Sequence, residues 1–372
     1  MAASGAVNEQ QIRDALRQVA DPDRQQDIVS LGMVSGLTVK DGHVAFAIEV
    51  EPERGPRLEP LRKAAEKAVF DLPGVLSVTA VLTAHRGGPA QSPAAAHGGR
   101  PAKITVPGVR SIVAVASGKG GVGKSTTATN LAVALATRGR RVGMLDADVY
   151  GPSQPRMMGI AGRPQAREDK ILIPLQNYGV KCMSVGFMIP EGTPMIWRGP
   201  MVTGALKQML GQVEWGELDI LVCDMPPGTG DTQLTMAQDV ALTGAVIVST
   251  PQDIALLDAR KGLNMFRKVE VPVLGIIENM SYFLCPHCGE RSDIFSHGGA
   301  RREAERLGTE FLGEIPLDMA IRETSDGGRP IVVAQPDSPH AKTYQAIAAR
   351  LWDKVSALLG DTRRQPPRIV IQ

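Results

Sequence analysis

Aromatic residues are scarce: Phe, Tyr and Trp make up 4% of the 372 positions. Platforms for stacking nucleobases are correspondingly few, and the cores fall to Val, Leu, Ile, Ala and Met. Cysteine is nearly absent, at four residues, too few for a disulfide framework in a chain of this length. Thiolate chemistry therefore remains available. Neither sign of charge dominates, because 41 basic and 39 acidic side chains leave a formal +2 spread along the chain. That balance argues against nucleic acid as a partner. No apolar run approaches the ~20 residues needed to cross a bilayer, and no basic amphipathic terminal helix is readable, so no membrane partner is expected. The start carries no charged-then-apolar leader, which makes the cytoplasm the expected location.

What is present divides the chain. Residues 86–103 read RGGPAQSPAAAHGGRPAK, a Gly, Ala and Pro run without apolar period, the composition of a flexible connection. The expected organisation is a small α+β domain at 1–84, a linker at 85–107, a larger domain at 108–358 and a polar tail at 359–372. In the first, Ile12, Leu16 and Val19 predict a helix, and strands at 34–39 and 44–50 meet at Asp41-Gly42, a dipeptide suited to tight hairpins. Helical spacing through Leu58, Leu61, Ala65 and Val69 then precedes a strand at 75–82, giving the order αββαβ. Beyond the linker, runs apolar on both faces at 112–116, 142–145, 180–185, 220–223, 246–248 and 274–277 alternate with helical patterns. That alternation predicts an α/β fold with a mostly parallel sheet covered by helices on both faces. Ala128, Leu131, Ala132 and Leu135 share one helix face, which Gly139 ends.

The first of these strands runs into Ser117-Gly118-Lys119-Gly120-Gly121-Val122-Gly123-Lys124-Ser125-Thr126 and then into helix, the context a P-loop requires. Glycines let successive backbone N–H groups turn onto phosphate oxygens, and the helix N-terminus adds partial positive charge. Lys124 is the expected cation for the β- and γ-phosphates of ATP, and the Ser125 hydroxyl a ligand of Mg²⁺. Two acids, Asp146 and Asp148, close the next strand, with Asp146 expected near the Mg²⁺ shell. Asp224 ends an apolar strand in the Walker B pattern, and Met225-Pro226-Pro227-Gly228-Thr229-Gly230-Asp231 has the turn chemistry of a switch that feels the γ-phosphate. Three acids at the carboxyl ends of parallel strands mark the side where α/β folds bind ligands.

Cys285-Pro286-His287-Cys288 offers two sulfurs, half of a closed four-ligand site. A two-fold dimer would complete it with the same pair from a second subunit, giving four thiolates suited to a [4Fe–4S] cluster or to Zn²⁺. Within one chain, His287 and His297 are alternative nitrogen donors for zinc. Cys182 and Cys223 lie in apolar strands and read as core.

Lys119, directly after the first loop glycine, resembles the extra lysine of the deviant Walker A motif GKGGVGK[ST] in the MinD/ParA/ApbC group of ATPases. That resemblance implies a homodimer in which Lys119 reaches the partner's nucleotide, Asp148 orients the attacking water and Asn279 recognises adenine. Further along, SGKGGVGKST, DADVYGPS, MIWRGPM, CDMPPGTGD, ENMSYFLCPHCG, FLGEIPLD and SDGGRPI occur in one order. Together they resemble the Mrp/ApbC family of iron–sulfur cluster carriers over about residues 110–352. The family implies slow ATP hydrolysis, a labile [4Fe–4S] cluster on Cys285 and Cys288 at a homodimer interface, and transfer from an assembly scaffold to apoproteins. Residues 9–83 resemble the iron–sulfur assembly domain often fused to such carriers, through DIVSLGMV and LPGVLSV. The cysteine that this domain usually carries after its second strand is absent from EPERGPRLEP, which points to docking rather than cluster handling. Two other readings of the ATPase are a ParA/MinD-like positioning protein and a zinc-stapled ATPase without cluster transfer.

Overall fold

The structure is a computed structural model that describes residues 7–40, 43–50, 58–75, 77–84, 103–189 and 199–360. It separates into two units, Met1–Gly98 and Gly99–Gln372. In the first, α1 (Glu9–Leu16) opens on a capping box: the Asn8 side chain accepts the Gln11 N–H and the Gln11 side chain accepts the Asn8 N–H, both at 2.9 Å. Strands β1 (Val34–Lys40) and β2 (His43–Val50) pair antiparallel, and α2 (Glu59–Phe70) crosses over to β3 (Ser77–Ala84), which lies parallel to β2. The αββαβ order is the expected one. Val44, Phe46, Ile48 and Val50 share a face of β2, and Leu61, Ala65 and Val69 form a stripe on α2. With Ile12 and Leu16 they make one core, to which Val19 belongs from a turn beyond the end of α1. The Asp41-Gly42 dipeptide and residues 51–57 of EPERGPRLEP lie outside the described residues.

The second unit begins with β4 (Ile112–Ala116), α3 (Lys124–Thr137), β5 (Val142–Asp146), α4 (Gln154–Met157), β6 (Leu175–Asn177) and β7 (Val180–Ser184). It continues through α5 (Gly199–Gly211), β8 (Ile220–Asp224), α6 (Asp231–Asp239), β9 (Gly244–Ser249), α7 (Asp253–Lys268) and β10 (Val273–Glu278). A two-stranded hairpin, β11 (Phe283–Leu284) and β12 (Arg291–Ser292), precedes α8 (Gly299–Arg306), β13 (Phe311–Glu314), α9 (Met319–Asp326), α10 (Ile331–Ala334) and α11 (Pro339–Gly360). The main sheet has the order β13-β10-β9-β4-β8-β5-β7-β6 and is parallel except for the β6–β7 pair.

Burial on both faces explains the unbroken apolar strands. Ile112, Ala114 and Ala116 of β4 face a core completed by α5, α6, α7 and α8, whereas Val113 and Val115 face a second core under α3 and α11. α3 is buried along most of its length and ends where Gly139 takes a left-handed φ of 78°. Cys182 and Cys223 are fully buried strand residues, as expected. The sequence reading omits both edge strands of the main sheet and the β11–β12 hairpin. β6 is a three-residue antiparallel partner of β7, and β13 is a short strand without a continuous apolar run. Ile104, in the stretch read as linker, bridges to Val240, and α11 takes in residues 359 and 360 of the stretch read as tail. The rest of those stretches, 85–102 and 361–372, and residues 195–198 of MIWRGPM lie outside the described residues. No described helix is long and apolar enough to cross a membrane.

Candidate functional site: a P-loop and a thiol turn at the carboxyl ends of parallel strands

Strand β4 lies between β8 and β9, and the loop leaving its carboxyl end turns into α3. Two glycines are required by what surrounds that loop. A Cβ on Gly118 would stand 2.1 Å from the Asp258 carbonyl carbon of α7, and one on Gly123, at φ 77°, would meet Asn279 Nδ2 at 2.1 Å. The Ser117 hydroxyl donates to the Lys119 carbonyl at 2.9 Å. The Lys119 ammonium makes no ion pair or hydrogen bond among the described residues, and the residue is half-buried. Gly120, Gly121, Val122 and Thr126 complete the loop and its entry to the helix.

Lys124 is buried, and its Nζ contacts Asp224 Oδ1 at 2.5 Å and Ser125 Oγ at 3.2 Å. Strand β8 therefore delivers the Walker B acid directly to the loop lysine. The other Asp224 oxygen accepts from Gln154 Nε2 at 2.8 Å, and Gln154 also bonds Thr129 Oγ1 at 2.7 Å. Asp146 is fully buried: its Oδ2 accepts the Ser153 and Gln154 N–H groups, each at 3.1 Å, and the Ser184 hydroxyl at 2.9 Å. Burial, followed by the nearby Asp224 charge, pushes the Asp146 carboxyl up to about 7. Asp148 is half-buried beside it and shifted upward, first by burial, with Lys124 opposing. After β8, the Met225 N–H donates to the Val115 carbonyl and the Gly228 N–H to the Ser117 carbonyl, so the Pro-Pro-Gly segment lies against the base of the P-loop. The oxygens of Asp224 and Ser125 are hard donors of the kind Mg²⁺ takes.

Strand β10 ends in Glu278, and the next residue, Asn279, is buried with its Nδ2 donating to the Val122 carbonyl at 2.8 Å. Six residues after Asn279 comes Cys285. It sits in a tight turn closed by its own N–H on the Glu290 carbonyl (2.9 Å) and the Gly289 N–H on its carbonyl (2.8 Å), with Gly289 at φ 73°. The N–H groups of Cys288 and then His287 point at the Cys285 sulfur and, with the Cys288 side chain, hold its thiol below the usual thiol range. Cys288 is exposed, so the turn presents two sulfurs outward, a donor set that fits soft metal chemistry. His287 is exposed on this turn, but His297 is engaged elsewhere: Nδ1 lies 2.8 Å from Arg291 Nη2 and 3.1 Å from Ser281 Oγ.

The structure thus brings Lys124, Ser125, Asp146, Asp148, Asp224 and Asn279 around one loop and places Cys285 and Cys288 on the continuation of β10. Sequence reasoning missed Gln154, Ser184, Ser281 and Arg291. Gln154 directly follows DADVYGPS, and a glutamine eight residues after a strand-end acid was the available signal.

Comparison with known proteins identifies the family. The family described as NUBPL iron-transfer P-loop NTPase matches residues 108–352, and the iron–sulfur cluster assembly protein family matches residues 9–81. An iron–sulfur cluster carrier protein of Synechocystis is 46% identical over 346 residues, covering 92% of this chain and 96% of its own. The iron–sulfur cluster transfer protein NUBPL of Dictyostelium discoideum is 54% identical over 273 residues, 72% of this chain and 84% of its own. A nucleotide-binding protein of Archaeoglobus fulgidus, solved in complex with ADP, superposes with a TM-score of 0.55 at 41% identity, covering 63% of this chain and 92% of the other. A P-loop whose lysine meets the Walker B acid, a thiol turn that follows β10 of the same sheet and a relative matched over nearly its whole length agree: the chain belongs to the NUBPL-type iron-transfer P-loop NTPase family.

Proposed function

We propose that the protein is an ATP-dependent iron–sulfur cluster carrier that takes a [4Fe–4S] cluster from an assembly scaffold and delivers it to apoproteins in the cytoplasm. The observation that carries this reading is the route from nucleotide loop to thiols. Asn279 touches the P-loop carbonyl of Val122, and Cys285 and Cys288 follow on the same extended segment. The cargo takes four thiolates, so two copies of the chain contribute two each, and the carrier acts as a homodimer.

In the nucleotide site, the N–H groups of Gly118 to Thr126 bind phosphate oxygens and Lys124 leaves Asp224 for the β- and γ-phosphates. Asp224 and Ser125 are the residues that would hold Mg²⁺, which would supply charge neutralisation at the phosphates. Lys119, unpaired by its own loop, reaches the nucleotide of the partner subunit and acts as a cationic finger. Asp148 orients the attacking water. The Asn279 Oδ1 remains an acceptor for the adenine amino group while Nδ2 holds Val122. Turnover is slow, because a carrier needs one long-lived nucleotide state per delivery, and the N-terminal unit docks partners.

Anaerobic reconstitution with iron and sulfide tests the assignment. The native chain takes up a cluster with visible charge-transfer absorption at four irons per dimer and activates an apo-enzyme. A double Cys285→Ala/Cys288→Ala variant that keeps the full cluster and still activates the apo-enzyme disproves it, and zinc in place of iron in anaerobically purified protein favours a structural staple.

A further inference from the structure

The turn that carries the thiols is braced on two sides. Its backbone is zipped to the segment that follows β13: the Ile315 N–H donates to the Glu278 carbonyl, the Ser281 N–H to the Ile315 carbonyl and the Leu317 N–H to the Tyr282 carbonyl, at 2.7–2.9 Å. Side chains supply the second brace. Arg291, opposite Leu284 in the hairpin, lays its guanidinium 4.3 Å from the centre of the Tyr282 ring. Its Nε donates to Asp293 at 2.9 Å and its Nη2 to His297 Nδ1 at 2.8 Å. A guanidinium can only donate, so Nδ1 is the acceptor and the imidazole proton sits on Nε2, the atom 3.7 Å from Glu314. Ser281, also at Nδ1, gives its hydroxyl proton to Glu278 Oε1 at 2.6 Å.

Glu278 anchors this group to the sheet. It is fully buried and accepts the Gly298 N–H at 3.0 Å and the Ala300 N–H at 2.7 Å, which ties the loop bearing His297 and the start of α8 to the end of β10. Glu278, His297 and Glu314 stand near enough to one another to resemble a cation cage. The Glu278 oxygens, however, are already taken by three protein donors, and the cluster is a brace. One residue beyond Glu278, Asn279 holds the P-loop. Between Asn279 and Ser281, both held by hydrogen bonds, stands Met280 at φ 54°, a left-handed conformation that is costly for a side chain.

We propose that Arg291 and His297 are positioning residues. They fix the Cys285–Cys288 turn to the end of β10, so that a shift of Asn279 when nucleotide enters the P-loop is passed to the thiols. The inference rests on the carrier reading for its purpose, but its test does not need a cluster. Without the brace, the hairpin pivots on its backbone contacts and the two ends of the segment move independently.

The experiment uses the full, reduced, metal-free chain. Alkylation of Cys285 and Cys288 by iodoacetamide is timed by mass spectrometry, with and without Mg²⁺ and a non-hydrolysable ATP analogue; the buried Cys182 and Cys223 serve as internal controls. Nucleotide changes the native rate by about threefold or more, within the range of site-to-site couplings. Arg291→Ala and His297→Ala lose that ratio while ATP hydrolysis stays within about twofold of native, the change expected from residues outside the nucleotide site. His297→Asn restores it, since the Asn Oδ1 can accept in place of Nδ1. The proposal is overturned if the native chain shows no nucleotide effect, if both Ala variants keep the native ratio, or if His297→Asn fails to restore it. A cluster-free labelling result stands apart from reconstitution, so failure of the carrier reading would be seen separately.

Discussion

Lys124 and Asp224 form a buried ion pair, with Nζ 2.5 Å from Oδ1, the lysine 6% exposed and the aspartate 0%. In the proposed mechanism the same two groups serve phosphate and Mg²⁺, so the protein's own pairing competes with substrate for both. Removing one partner strands a charge in the interior, which typically costs about 3–5 kcal/mol. Lys124→Met is therefore expected to lower the denaturant midpoint strongly and abolish hydrolysis. The Lys124→Met/Asp224→Asn double variant recovers part of the stability and none of the activity. Unchanged stability in Lys124→Met, read by urea unfolding, would contradict the pairing.

Gln154 is the second holder of Asp224. Gln154→Leu keeps the volume but strips a donor from a buried carboxylate, at a cost of about 1–3 kcal/mol. The expected kinetic result is a roughly tenfold rise in the Mg²⁺ concentration for half-maximal hydrolysis, equivalent to about 1.4 kcal/mol of lost positioning. Gln154→Glu places a second carboxylate beside Asp224, so its activity improves as pH falls and the pair takes up a proton. A Mg²⁺ titration identical to native in both variants would remove Gln154 from the site.

The loop glycines are not equivalent. At Gly121, with φ 79°, an added Cβ meets nothing within 4 Å, so Gly121→Ala carries only the left-handed backbone penalty of about 1–2 kcal/mol. At Gly118 the Cβ would overlap the backbone of α7, which has to shift. Gly118→Ala is expected to lose ATP-analogue binding by calorimetry, whereas Gly121→Ala retains measurable affinity. The reverse order would show that α7 does not set the loop.

The parts of the fold that were legible in the sequence are those that bury both faces of a strand. β4, β5, β8, β9 and β10 read as apolar runs because helices cover both sides of the sheet. β6 and β13 escaped because edge strands bury little: Leu175, Gln176 and Asn177 carry no pattern, and β13 is interrupted by Gly313 at φ 152°. The P-loop lysine and the strand-end acids were legible from local motif context. Gln154, Ser281 and Arg291 were not, since each acts through a partner distant in sequence or through a tautomer, and neither leaves a spacing. That Asn279 spends its amide donor on Val122 is likewise a tertiary fact.

Stability can be separated from chemistry at the opposite end of β8. Asp219 accepts from the Arg141 N–H at 3.0 Å and from its guanidinium at 3.0 Å, with Arg110 alongside. The Arg141 side-chain hydrogen bond is the main reason its carboxyl is lowered to about 2. A depressed carboxyl stabilises the fold above its unfolded value near 3.8, and that contribution is lost as pH falls through about 2. Asp219→Asn is therefore expected to lower the urea midpoint at pH 7, and the gap from native should close between about pH 4 and pH 2. Arg141 is half exposed to water, which screens the pair and keeps the loss to about 1 kcal/mol. Hydrolysis per folded molecule should be unchanged, because Asp224 and not Asp219 faces the nucleotide loop. A gap that persists undiminished at pH 2 would mean that Asp219 stabilises β8 through packing rather than through its charge.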